Sequence, residues 1–192
     1  MHSTQRIVYT STEAVAIGLT DKLILTVLRL FSMLRLDRVP RVVTSTHRFT
    51  DYFKGFQNVK IVQQLFGDKT EQVLRDLRIQ FTVLGGYMGV SNTDGHIIVN
   101  TRYLATGNKV DIYLDVIHEL VHVKQFMEGR ELFDTQYEYI ERPTEVEAYR
   151  YTVEEAKRLG LSDKRIREYL KTEWMNEDDL RRLARMLNLD EA

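Results

Sequence analysis

The sequence predicts an α+β fold: a small mixed sheet drawn from about residues 41 to 100, covered by helices, then one long helix and a helical C-terminal half. Three observations carry this expectation. Val- and Thr-rich runs separated by turn residues fill the stretch from 41 to 100. Neither Gly nor Pro interrupts residues 110 to 128. Past Gly129, apolar residues recur at helical spacing behind capping residues.

A chain of 192 residues fits a single domain with a core of its own, divided into an N-terminal α/β half of about 1–128 and a C-terminal helical half of about 129–192. With 27 basic against 28 acidic side chains the formal net charge is −1, which leaves no electrostatic footprint for nucleic acid. There is no cysteine, so neither disulfides nor a thiolate metal site are available. The first residues lack the basic start, apolar run and cleavage site of an export signal, and a compact cytoplasmic globule is expected.

Residues 11 to 35 read as a first long helix, with Thr10 and Glu13 in a capping-box pattern and Leu23, Leu25, Val27, Leu28, Leu30, Phe31, Met33 and Leu34 over more than half its surface. Asp21, Lys22 and Arg29 interrupt the apolar run, so a buried amphipathic helix is expected and no membrane span. Residues 41 to 49, RVVTSTHRF, suit a strand that carries His47, read as a surface or hydrogen-bonded histidine. Residues 58 to 78 permit helix, broken at Gly67-Asp68. The runs IQFTVLGGYMGVS and HIIVN flank the turn residues Asn92 to Gly95, which predicts a hairpin leading into the long helix. A strand there can hold an extended peptide by main-chain pairing.

The long helix carries VIHELVHV. His118 and His122 lie one turn apart on one face, where two imidazoles can share a metal ion, and Glu119 between them can reach a water activated by that ion. Asn108 is placed to cap this helix, and Gly129 to end it. A polar, Tyr-rich stretch follows, a loop or partly helical, and Pro143 opens a second helix closed by Gly160.

A catalytic zinc takes three protein ligands and keeps a fourth position for water. Glu145 and Glu147 are the sources of the third. Glu145 shares the less charged face with Ala148, Tyr149, Thr152 and Ala156, whereas Glu147 faces with Tyr151 and Glu154 and can complete a capping box with Thr144. Pro143 prefers the first helical position, which would move the cap to Arg142 instead. Helix geometry therefore favours Glu145, with Glu147 as the alternative.

HELVH followed 23 residues after His122 by Glu145 in E-V-E-A resembles the gluzincin branch of zincin metallopeptidases, and the compact size is similar to that of the minimal gluzincins. The resemblance covers roughly residues 85 to 160. It implies a zincin-like fold, one Zn²⁺ per chain held by His118, His122 and Glu145, Glu119 as general base, and peptides or unfolded proteins as substrates. Gluzincins often carry an Asp four residues after the ligand Glu; here that place is Tyr149, and Asp115 or Gln125 on the histidine face can substitute in orienting a ligand. Tyr137, Tyr139, Tyr149, Arg150 and His96 are candidates for the donor that stabilises an oxyanion.

In the tail, Ser162 and Asn176 are placed to cap two short helices that complete the core on the far side of the cleft. A sharper possibility is regulatory: the terminal helix could lie over the cleft, or a neighbour's, and keep the enzyme latent. The competing function is a latent or inactive zincin scaffold that serves as a metal-binding regulatory or interaction module. No nucleic-acid or membrane partner is expected.

Overall fold

The computed structural model describes residues 46–189, together with Arg29 and residues 32–34. The helix expected over 11–35 and the start of the strand expected over 41–49 lie otherwise outside the described residues. Met33 and Leu34 are buried, and Leu34 bridges to Phe53.

The molecule is mixed α+β. Strand β1 (Thr46–Arg48) ends one residue before the expected strand does, because Phe49 already begins a one-turn helix, α1 (Phe49–Tyr52), with its N–H donated to the Leu77 carbonyl at 3.0 Å. His47 is half-buried between the rings of Tyr52 and Phe81. Helices α2 (Lys60–Phe66) and α3 (Thr70–Asp76) are separated by a 3-10 turn at Gly67–Lys69, where the sequence placed a break. Strands β2 (Arg78–Thr82), β3 (Met88–Val90) and β4 (Ile97–Asn100) complete the sheet of the described residues, in the order β1-β2-β4-β3.

The expected hairpin is β3 and β4, paired antiparallel with Val90 opposite Ile97. Gly95 closes its turn at φ +75, a left-handed conformation that glycine adopts without the Cβ penalty. Space demands glycine as well: a Cβ here would lie 2.4 Å from Cδ1 of Phe126. Strand β2 runs parallel to β4, with Ile79 opposite Ile97 and Phe81 opposite Val99. Those four side chains are fully buried on one face, the period-two alternation of a half-covered sheet.

Asn100 ends β4 and caps α4 (Thr101–Thr106), and Asn108 caps α5 (Lys109–Met127) by accepting from the Val110 and Asp111 amides. The middle of α5 is buried around its circumference, Val116, Ile117, Leu120 and Val121 all being at most 1% exposed. A helix apolar all round is a central one. It packs against α2, β3 and α6 (Pro143–Arg158). Each such side chain contributes about 1.5–3 kcal/mol by leaving water.

A polar link crosses the α5–α6 contact at one end. Glu155 is fully buried, accepts the Tyr113 hydroxyl at 2.5 Å, and is held from the other side by Arg158 at 2.6 and 2.7 Å. Both long helices end in the same way: the amides of Gly129 and Arg130 return to the carbonyls of Phe126 and Gln125, and those of Gly160 and Leu161 to Lys157 and Ala156. This is the Schellman closure that glycine at positive φ permits.

Helices α7 (Asp163–Leu170) and α8 (Glu177–Met186) form the tail, capped by Ser162 and Asn176 as expected, the latter in a reciprocal capping box with Asp179. No helix among the described residues is long and apolar enough to cross a membrane.

Candidate metal centre

His118 and His122 project from one face of α5 toward the first turn of α6, which presents Glu145. Nε2 of His118 lies 3.3 Å and Nε2 of His122 3.6 Å from Oε2 of Glu145, and the two Nε2 atoms are 3.0 Å apart. All three residues are buried. A divalent ion held tetrahedrally at about 2.0–2.1 Å spaces its ligand atoms roughly 3.3 Å apart, and this triangle has that size. Among the described residues it is the group of His, Asp and Glu side chains whose ligand atoms converge in this way, and it could hold a metal ion. The carboxylate oxygen that would bind, Oε2 of Glu145, is buried without a hydrogen-bond partner among the described residues, which suits an atom that can coordinate a cation.

The supporting contacts separate Glu145 from Glu147. Gln125, fully buried, accepts from Nδ1 of His122 at 2.8 Å and donates to the Thr144 carbonyl at 3.0 Å and to Oε2 of Glu147 at 2.9 Å. Glu147 also pairs with Arg130. It therefore orients the glutamine that orients His122, and the capping box with Thr144 does not form. Arg142 is the N-cap, Pro143 takes the first helical position, and the Thr144 hydroxyl donates to the Leu132 carbonyl at 3.3 Å. Asp115, the other residue considered for orienting a histidine, accepts the hydroxyls of Tyr103 and Tyr169 instead. Nδ1 of His118 is buried without a hydrogen-bond partner among the described residues, and the Tyr149 ring packs against that imidazole at 4.6 Å.

Glu119 is 6% exposed, and its Oε2 has no hydrogen-bond partner among the described residues. Burial pushes its carboxyl up to about 8. Burial disfavours charge on His122 too, but the Glu145 carboxylate and Glu119 outweigh it and carry the imidazole to about 9. His118 is pushed down, by burial first. Burial also acts against the Glu145 carboxylate, yet the two imidazoles beside it hold it well below the usual range.

Two cavities open onto these residues. One, of about 260 Å³, is walled by His118, Glu119, Asp115, Tyr149 and residues of the tail, including Tyr169 and Thr172. The other, of about 190 Å³, is walled by His122, Glu145, Val90, Leu132 and Phe133. Trp174, Met88 and Tyr139 border both. The tail therefore forms a wall of the cleft and does not lie on its far side. Tyr139 and Tyr149 reach the site, their hydroxyls 3.0 Å apart, whereas Tyr137, Arg150 and His96 line neither cavity. Trp174, which the sequence reading did not single out, is held in ring contact with Tyr87 and Tyr139. Its place in the cleft follows from the docking of α7, which no local pattern records.

No family model matches this chain, and neither a curated protein nor a solved structure matches it significantly.

Proposed function

We propose that the protein is a zinc-dependent peptidase of gluzincin type, in which His118, His122 and Glu145 hold the metal and Glu119 is the general base. The observation that carries this reading is Glu119 itself. A structural site has no use for a buried, unpartnered carboxylate beside its ligands, and it closes with a fourth protein ligand; this triad has three. Two imidazoles and one carboxylate are a donor set that zinc accepts, and their spacing fits a tetrahedral site.

When bound, zinc supplies a Lewis acid that polarises a carbonyl and acidifies water. The remaining chemistry belongs to the chain. The Glu119 carboxylate takes a proton from the attacking water and delivers it to the leaving amine. The hydroxyls of Tyr139 and Tyr149 are the cleft's donors toward a developing oxyanion, a role typically worth about 2.7–4 kcal/mol. Gln125 fixes His122 in the tautomer whose Nε2 is free to bind. Strand β3 is an edge of the sheet formed by the described residues and borders both cavities, and its side left unpaired among those residues can take an extended peptide as a further strand.

The test is hydrolysis of a fluorogenic peptide mixture by the zinc-loaded chain beside Glu119→Ala. Cleavage by the wild type and none by the variant, with zinc still bound to both, is the expected result. Equal rates would sink the mechanism. Trp174 favours a second reading, a latent or inactive scaffold serving as a regulatory or interaction module, since this tail residue stands in the cleft. Zinc binding without cleavage of any peptide would favour it.

A further inference from the structure

The two cavities beside the triad differ in character. The one lined by Val90, Leu132 and Phe133 offers an apolar wall. The other is lined by carboxylates and aromatic rings, and its charges do not cancel: Asp111 is paired with Arg165 and Lys171 with Glu177, whereas Asp115 and Glu168 make no ion pair among the described residues. The rings of Tyr87 and Tyr103 lie 4.7 Å apart, and Trp174 continues the aromatic wall 5.8 Å from Tyr87. Buried polar atoms without partners face the same space: Oε2 of Glu119, on a residue more than nine-tenths buried, and Oγ1 of Thr172.

On the peptidase reading above, on which this rests, we propose that the chamber between Asp115, Glu168 and Tyr87 receives a basic side chain, lysine or arginine, from a residue flanking the bond that is cut. An apolar side chain would strip water from these carboxylates and return nothing, and an acidic one would meet like charge. A cation satisfies the carboxylates and gains from the tyrosine and tryptophan faces. Reach agrees. Asp115 stands four residues before Glu119 on α5, hence about 6 Å along the axis, which the four-carbon stem of lysine spans. The volume of about 260 Å³ falls below the roughly 300–1,000 Å³ of clefts for drug-sized ligands and suits one long side chain.

Trp174 is the chain's one tryptophan and borders both cavities, so its emission reports on a peptide entering the cleft, and the Glu168→Gln variant below assigns the response to this chamber. The experiment titrates the full-length, zinc-loaded Glu119→Gln protein, which is not expected to cut, with two hexapeptides capped at both ends and differing only as lysine against norleucine. Binding of the lysine peptide about tenfold more tightly is expected, with the preference shrinking as salt rises and falling severalfold in the additional variant Glu168→Gln. Glu168 is exposed and outside the hydrogen-bonded wall, so this substitution leaves the fold in place, and Asp115→Asn serves as a second variant. Equal affinities, or no change in emission with either peptide, overturn the proposal. So does a preference that appears only when the peptide's amino terminus is uncapped, which would put the α-amino group in the chamber. Wild-type cleavage of the same peptides is scored separately. Failure to cut either one counts against the peptidase reading, while the binding preference still decides the chamber.

Discussion

Gln125 ties His122 to the helix that bears Glu145: its oxygen accepts from Nδ1 of the histidine at 2.8 Å, and its nitrogen donates to the carbonyl of Thr144, the residue before the glutamate. One buried amide thereby sets the orientation of His122 and the position of Glu145. Glu147 holds the amide in turn.

This ranks three substitutions by their effect on metal affinity. Glu145→Ala removes a ligand and is expected to abolish stoichiometric zinc binding. Gln125→Ala and Glu147→Ala remove supports and are expected to weaken it by roughly 10–100-fold, with the metal still bound at saturation. Zinc per chain by native mass spectrometry, followed by competition with a chelator, separates the two classes. Loss of zinc in Glu147→Ala with retention in Glu145→Ala would reverse the ligand assignment.

Without metal, stability should decline as pH rises from about 7 to 9. The folded Glu119 carboxyl, at about 8, binds its proton more tightly than the unfolded group at 4.5, so its contribution is complete at low pH and disappears as pH passes through about 8. His122, raised from 6.5 to about 9, has the same sign and is lost through about 9. Glu145 and His118 are shifted downward, so their contributions change only at lower pH. Thermal melts in chelator from pH 6.5 to 9.5 should therefore show a falling midpoint. Zinc at 100 times its Kd should add about 2.7 kcal/mol. A midpoint that rises with pH in chelator would contradict the charge assignment.

Two glycines at nearly the same φ should respond differently to alanine. Gly129→Ala, with nothing near the added Cβ, should cost about 1–2 kcal/mol from the left-handed backbone alone. Gly95→Ala meets the Phe126 ring as well and should cost roughly 1–3 kcal/mol more. Urea denaturation of the two variants measures the difference, and equal costs would show that Phe126 moves aside freely.

The buried carboxylate of Glu155 should be more sensitive to losing Arg158 than Tyr113. Tyr113→Phe deletes one hydrogen bond, at about 1–2 kcal/mol. Arg158→Met leaves a fully buried charge without its cation, at about 3–5 kcal/mol. The same denaturation assay ranks them, and the reverse order would mean that the Arg158 pair contributes less than the Tyr113 hydrogen bond.

Local rules made much of this fold legible. Asn108, Ser162 and Asn176 cap helices as their side chains predict, Gly129 and Gly160 end them, and Asn92 to Gly95 make the turn between β3 and β4. The convergence of His118, His122 and Glu145 was legible for a similar reason, since i and i+4 on α5 and the inward face of α6 are properties of single helices. What escaped depends on distant partners. The parallel pairing of β2 with β4, across the intervening β3, is written in no local pattern. Strand β1 stops at Arg48 because Phe49 is drawn to the Leu77 carbonyl. Trp174 reaches the cleft because Tyr169 and Arg165 fasten α7 to Asp115 and Asp111, contacts that span more than fifty residues.

Helices α5 and α6 are joined by a connection that contributes no side chain to the His118, His122 and Glu145 cluster, anchored by the buried Leu132 and Ile140. What holds His122 and Glu145 in register is the lateral seam between the helices: Gln125 at one end, Tyr113 with Glu155 at the other. Chain length between the ligands is thus a poor ruler for this centre. Because closing a loop costs only about 0.6 kcal/mol more when its length doubles, the connector is free to lengthen or shorten around its two apolar anchors while the triangle keeps its edges.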